Sequence, residues 1–157
     1  MVKKIDVHFK NGDWKEQPSG GGTLALRHSY GTKEIVFDGQ EMKGKGFCSY
    51  TLAYHPGTEA TATYDGQMVF HGTVLGKEGS VVFREHGQIL NGKLSAIWTV
   101  IPQAATGELL GMSGRGAYEM IAGKSGLPVK GKLEVEFGEV PMMQPSVWRS
   151  TSIQYMM

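Results

Sequence analysis

Apolar and polar residues alternate along many short segments of this chain. Leu133, Val135 and Phe137, for example, are separated by charged residues, so that the apolar side chains face one way and the charged ones the other. A period of two residues is typical of a strand with one buried and one wet face. The same pattern predicts eight to ten strands, at 4–10, 23–29, 33–38, 46–55, 59–65, 67–75, 79–86, 92–102, 115–121 and 131–138.

Four Asx-Gly pairs punctuate these segments: Asn11-Gly12, Asp38-Gly39, Asp65-Gly66 and Asn91-Gly92. Each joins a residue that tolerates a positive φ to one that prefers it, which is typical of tight hairpin turns and predicts a meander. The segment 103–112 is the nearest approach to a helix, and two glycines limit it to a short one. Antiparallel strands with short turns must hide their edges, so the pattern predicts a closed barrel or a sandwich.

Composition and charge indicate which class of protein this is and in which cellular compartment it is expected. The chain has 157 residues, 23 of them glycine, and 40% are apolar, which fits one globular domain with a buried core. A formal charge of +1 without a basic block argues against nucleic acid or an anionic membrane as a partner. No apolar run is long enough to span a bilayer, the start lacks a signal peptide, and Cys48 stands alone. We therefore expect a soluble, cytoplasmic protein.

One carboxylate, Glu85, is the candidate for acid or base chemistry. Five scattered histidines form no metal-binding pair, and no phosphate-binding loop is complete, so we expect neither a metal nor another cofactor. In the segment 81–86, placing Arg84 outside sends Val81, Phe83 and Glu85 into the interior. Burial would suit Glu85 to acid or base work. The alternative is that a bulge reverses the parity, or that Glu85 lies at the barrel mouth, paired with a surface cation.

Aromatic residues provide the other candidates. Tyr50, Leu52 and Tyr54 share a face, so two phenols could orient a ligand or could equally be core residues whose hydroxyls reach the rim. Trp98 is first a packing residue and second a wall against a substrate.

The run from Trp98 to Pro102 and the Thr106-Gly107…Gly111…Gly114-Arg115-Gly116 series resemble a mainly bacterial domain-of-unknown-function family. Glycines and apolar residues from Gly46 to Gly87 fall at similar spacing, and Trp14 to Pro18 is similar to the family's N-terminal signature, so the resemblance spans about residues 5–137. That family is assigned to the allene oxide cyclase-like β-barrels, and the glycine series also resembles the dirigent proteins. The resemblance implies one closed antiparallel barrel of about eight strands over 1–138, lipocalin-like in form.

The resemblance also implies a class of function. Our first hypothesis is a cofactor-independent cyclase or isomerase of a hydrophobic, natural-product-like intermediate. Glu85 would act as acid, base or electrostatic stabiliser and Tyr50 and Tyr54 as hydrogen-bond donors, with walls formed by Phe83, Trp98, Tyr118 and Met68. The alternatives are a lipocalin-like binder of a small lipophile and a structural or oligomer-forming barrel with a filled lumen.

The tail, residues 139–157, is rich in methionine, proline and aromatic residues. Such a segment is too apolar for an ordinary solvated terminus. We expect it to cover a barrel mouth or to clasp a neighbouring subunit in a homodimer or homotrimer.

Overall fold

A computed structural model describes residues 1–19, 27–58, 60–123 and 126–139. Most of the predicted strand 23–29 and nearly all of the predicted tail lie outside these ranges. Within them the chain forms nine strands and no helix. The strands are β1 (Lys3–Asn11), β2 (Lys15–Pro18), β3 (His28–Asp38), β4 (Met42–Tyr54), β5 (Ala62–Val74), β6 (Lys77–Leu90), β7 (Lys93–Gly107), β8 (Met112–Ile121) and β9 (Pro128–Phe137).

The strands close into an antiparallel barrel. From β3 to β9 each strand pairs with the next in the chain, β9 pairs with β1, and β1 pairs with β3 to complete the circle. β2 continues past β1 along the rest of β3, so β1 and β2 share one partner. The prediction of a single all-β barrel of about eight strands is confirmed.

One of the four predicted tight turns is present, and the other three pairs differ from the prediction. Asn91-Gly92 forms the tight turn after β6, with a positive φ at both residues. Asp38 ends β3 and Gly39 begins a longer connection to β4, and neither residue has a positive φ. The predicted turn at Asp65-Gly66 is wrong, because β5 runs through it without interruption. A Cβ on Gly66 would overlap the backbone of β4, so this glycine permits close packing of two strands. Asn11-Gly12 is a bend between two strands that pair with β3, and the segment 103–112 is strand and turn rather than helix.

The two ends of the barrel differ. At one end, near the β3–β4, β5–β6 and β7–β8 turns, the lumen is filled by buried apolar side chains, including Met42, Val74, Leu109 and Met112. Leu109 belongs to the β7–β8 turn and is fully buried, so this turn plugs the end. We call it the closed end. The opposite end, where β1 bends into β2 and β6 turns into β7, we call the open end.

No helix among the residues that the structure describes is long and apolar enough to cross a membrane. The cytoplasmic location stays a prediction.

Candidate functional site

Glu85 points into the barrel from the middle of β6. The burial pattern of this strand alternates, with Val81, Phe83 and Glu85 buried and Arg84 exposed. Only 1% of Glu85 is exposed. The inward parity is therefore confirmed, and the register shift between Val81 and Val82 does not reverse it. Glu85 is neither turned outward nor placed at the mouth beside a cation.

Four donors surround the Glu85 carboxylate; with it they form what we call the Glu85 cluster. Tyr50 Oη (2.8 Å) and Trp98 Nε1 (2.7 Å) donate to Oε1. Tyr64 Oη (2.5 Å) and Tyr118 Oη (2.8 Å) donate to Oε2. Each oxygen thus accepts two bonds, about the full capacity of a carboxylate. Hydrogen bonds to both oxygens offset the cost of burying this polar group.

The three tyrosines keep their protons. Burial, and after it the charge of Glu85, raises the pKa of Tyr50, of Tyr64 and of Tyr118 well above the ordinary value for a phenol. Near neutral pH these hydroxyls are therefore hydrogen-bond donors, and the cluster contains no phenolate that could act as a base.

A cavity of about 690 Å³ occupies the open end of the barrel. Its apolar walls include Leu52, Ile89, Leu94 and Met120, and aromatic rings of Trp14, Tyr50, Tyr54 and Tyr64 also line it. Glu85 is not among the lining residues. Tyr50 and Tyr64 belong both to the cavity wall and to the Glu85 cluster, so they separate the carboxylate from the cavity while connecting the two.

A second carboxylate, Glu16, lies in the cavity wall. Its side chain accepts hydrogen bonds from Trp14 Nε1 (2.8 Å), Tyr54 Oη (2.6 Å) and Ser29 Oγ. Arg27 completes the group with an ion pair of 3.5 Å to Glu16 and a guanidinium 4.2 Å from the centre of the Tyr54 ring. We call these five residues the mouth cluster. It joins β2, β3 and β4 at the rim of the cavity.

Contacts within the mouth cluster change the pKa of Glu16 and of Tyr54. Burial alone would raise the pKa of Glu16, but the bonds from Ser29, Tyr54 and Trp14 and the charge of Arg27 outweigh it, and the pKa of Glu16 is lowered. Burial and the neighbouring Glu16 raise the pKa of Tyr54 to about 12. Glu16 is thus held as an anion and Tyr54 as a donor.

A family model for proteins of unknown function, DUF3224, matches residues 6–129. The chain belongs to the DUF3224 family. A crystal structure of a DUF3224 protein of unknown function from Shewanella oneidensis MR-1 is 20% identical in sequence, with a TM-score of 0.66, and the match covers 88% of this chain and 100% of that one. At this identity the likeness shows the fold alone. No curated protein matches the chain.

The DUF3224 match agrees with the predicted membership of a family of unknown function. The relationship to allene oxide cyclases and dirigent proteins stays a prediction.

The DUF3224 barrel brings some of the predicted site residues together and separates others. Glu85 and Tyr50 are in direct contact, whereas Tyr54 donates to Glu16 at the rim. The four predicted wall residues are buried inside the lumen but do not line the cavity; these are Phe83, Trp98, Tyr118 and Met68. Two of the four, Trp98 and Tyr118, instead donate hydrogen bonds to Glu85.

Sequence analysis missed four polar residues of this DUF3224 chain: Tyr64, Lys33, Asn11 and Glu16. Strand parity was a usable signal for two of them, because Tyr64 shares the inward face of β5 with Met68, and Lys33 that of β3 with Ile35. Asn11 belongs to the Asn11-Gly12 pair, whose residue types are typical of a turn, so it gave no signal of an inward side chain. No sequence signal indicates that Glu16 faces the cavity, because β2 has only four residues.

Within the described ranges, no group of three or more His, Cys, Asp or Glu side chains is arranged to hold a metal ion.

Proposed function

We propose that this DUF3224 protein binds a small lipophile in the cavity at the open end of its barrel. The observation that carries the proposal is the cavity itself. At about 690 Å³ it lies within the roughly 300–1,000 Å³ of small-molecule sites. Apolar walls with a few fixed polar groups are the usual composition of such sites. A lumen open at one end also argues against a barrel that is structural and filled throughout.

Binding of N-phenyl-1-naphthylamine, a neutral fluorescent lipophile, tests the proposal. We expect saturable, one-to-one binding with increased probe fluorescence. Ile89→Trp, which places an indole in the cavity, should weaken binding at least about tenfold. The matched control is Ile121→Trp, on an exposed position outside the cavity lining, and should bind as the wild type does. Absence of saturable binding to the wild type, or equal binding by Ile89→Trp, would overturn the proposal.

A cofactor-independent cyclase or isomerase is the second candidate. One observation favours it: Tyr50 lines the cavity and donates to Glu85, so a charge that develops on a ligand beside Tyr50 would be felt by a buried carboxylate. Against direct acid or base catalysis by Glu85, all its acceptor positions are occupied and it does not reach the cavity. Binding is therefore the function that the geometry supports best.

An unsaturated allene oxide, the compound class for which the resembling cyclases are named, tests the second candidate. If the barrel is a cyclase, the wild type gives an enantiomeric excess of cyclised product, and Glu85→Gln lowers the rate about 100-fold, the scale of a lost electrostatic group. Glu34→Gln, on the exposed face of β3, is the control. Racemic product from the wild type would remove the cyclase candidate and leave the binder.

A further inference from the structure

Lys33 is a buried cation in the cavity wall. It lies on the inward face of β3 beside Ile35, only 8% of it is exposed, and it lines the cavity. Lysine is almost never buried without a partner, because an ammonium group loses its hydration inside a protein. The ring of Tyr50, 5.7 Å from Nζ, gives Lys33 a cation–π contact. This contact offsets part of the cost of burial and supplies no opposite charge.

No carboxylate among the described residues forms an ion pair with Lys33. Two acids share the cavity lining with it, Asp13 and Glu16. Glu16 is already paired with Arg27 and holds three hydrogen bonds, and Asp13 is exposed. Outside the described ranges the sequence contains one further acidic residue, Glu59. Lys33 is thus a positive charge on the cavity surface that the described protein groups leave without a counter-ion.

Asn11 is a polar neighbour of Lys33 on the same inner face. Asn11 pairs with Ile35 across β1 and β3, which makes Lys33, two residues earlier in β3, its diagonal neighbour. Such diagonal neighbours are about 7–8 Å apart, within reach of a long side chain. Asn11 is 6% exposed and lines the cavity, and its Oδ1 is buried without a hydrogen-bond partner.

The other polar atom of Asn11, Nδ2, donates to Met120 Sδ at 3.1 Å. A thioether is a weak acceptor. A half-turn of the amide would exchange its two polar atoms and place an N–H at the buried position of Oδ1, in the wall of the cavity. Lys33 then offers an ammonium to an acceptor group in the cavity, with the amide of Asn11 in the wall beside it.

We propose that the cavity selects an anionic amphiphile, an apolar body that carries a carboxylate. The carboxylate binds to Lys33 and Asn11, and the apolar body packs on Leu52, Ile89 and Leu94. This inference rests on the proposed binding function and adds the chemical class of the ligand. A partly desolvated ammonium in an apolar wall binds an anion more strongly than an exposed one does, because fewer water molecules screen the pair.

Competition by two matched ligands tests the inference. Decanoate and decanol have the same chain and differ in the charge of the head group. Each is titrated at neutral pH into the full-length protein saturated with N-phenyl-1-naphthylamine, which reports displacement. We expect decanoate to bind at least about tenfold more tightly than decanol, as for a hydrogen-bonded charge pair. Equal affinities would overturn the inference and leave the binding function intact. If neither ligand nor the probe binds, the binding function itself fails.

Three variants identify the groups responsible. Lys33→Met keeps the apolar stem and removes the charge, so it should abolish the preference for decanoate while decanol affinity stays within about twofold. Lys33→Arg keeps the charge and should keep the preference. Asn11→Asp adds a carboxylate beside Lys33 at constant size, and should reduce decanoate binding alone. If Lys33→Met fails to fold, Asn11→Asp provides the test. A preference for decanoate that survives either neutralising change would overturn the assignment to Lys33 and Asn11.

Discussion

At the scale of the residue, the carboxylates of Glu85 and Glu16 differ in the groups that stabilise them. Glu85 has four hydrogen-bond donors in the described chain and no cation, whereas Glu16 has three donors and the guanidinium of Arg27. Hydrogen bonds to a charged group contribute about 1.5–3 kcal/mol each, and removal of the acceptor leaves buried donors unpaired. Glu85 therefore fixes the positions of its four donors in the filled part of the lumen, and Glu16 fixes those of its partners at the rim of the cavity.

The lowered pKa of Glu16 predicts a loss of stability in acid. A carboxyl group whose pKa in the folded state lies below its ordinary value of 4.5 stabilises the protein above that value. The contribution disappears as the pH falls through the lower, folded-state pKa. When the pH is lowered from about 6 to 3, the free energy of unfolding should fall less for Glu16→Gln than for the wild type. Urea denaturation at each pH measures this free energy.

The matched control for this experiment is Glu34→Gln, an exposed position on β3, which should follow the wild type. Identical pH profiles for Glu16→Gln and the wild type would contradict the assignment of the acid-sensitive interaction to Glu16.

At the scale of the element, the strands make room for the aromatic rings of the Glu85 cluster. Tyr64 on β5 lies directly opposite Gly87 on β6, and a Cβ at Gly87 would overlap the Tyr64 ring. Glycine at this position therefore allows the ring to pack against the backbone of β6 and its hydroxyl to reach Glu85. The spacing of the two residues on β6 sets the bond: the Tyr64 ring packs against Gly87, and Glu85, two residues earlier on the same face, accepts the hydrogen bond from the Tyr64 hydroxyl.

Gly87→Ala should therefore destabilise the barrel by about 1–3 kcal/mol, the usual cost of overpacking. The added methyl group must displace Tyr64 from Glu85. Gly138→Ala is the matched control, because a Cβ there meets no atom within 4 Å and the change should be nearly neutral. Thermal unfolding of the two variants beside the wild type measures the difference. Equal midpoints would show that the backbone absorbs the methyl group and that Gly87 is not required.

At the scale of the whole molecule, the two ends of the barrel differ, so it matters at which end each strand begins and finishes. β9 begins at the open end, where Pro128 pairs with Lys10, and finishes at the closed end, where Phe137 pairs with Met112. Its ten residues span about 30 Å. The predicted tail thus starts at the end opposite the cavity, and the amide of Gly138 donates to Gly111 there. The predicted clasp of a neighbouring subunit and the predicted lid over a barrel mouth both stay predictions.

Truncation after Gly138 separates the two expectations for the tail. A clasp predicts that the shortened chain becomes monomeric while its affinity for N-phenyl-1-naphthylamine stays within about twofold, because the cavity lies at the other end. Light scattering after size exclusion measures the first quantity, and probe titration measures the second. A lid predicts the reverse, with unchanged mass and faster release of the probe. If neither mass nor probe binding changes, both expectations for the tail are wrong.

The sequence by itself determined the class of fold and the direction of most side chains, because both depend on local features. Alternation in β9 identified the inward residues, and alternation in β6 offered an inward Glu85 beside the alternatives of a reversed parity or a place at the mouth. The tight turn at Asn91-Gly92 was readable from residue type. The same local reasoning failed at Asp65-Gly66, where the glycine accommodates a neighbouring strand rather than a turn.

Only the tertiary structure decided which inward residues meet. Four strands of the barrel, β4, β5, β7 and β8, deliver one donor each to Glu85. Their register across the sheet, and not their spacing in the chain, sets those distances. The cavity likewise depends on closure: the turn that contains Leu109 fills one end of the lumen, and the cavity lined by Lys33 and Asn11 lies at the other. Alternation predicts that a side chain points into the barrel. Whether that side chain contacts a carboxylate, an aromatic ring or a cavity depends on the other strands of the barrel.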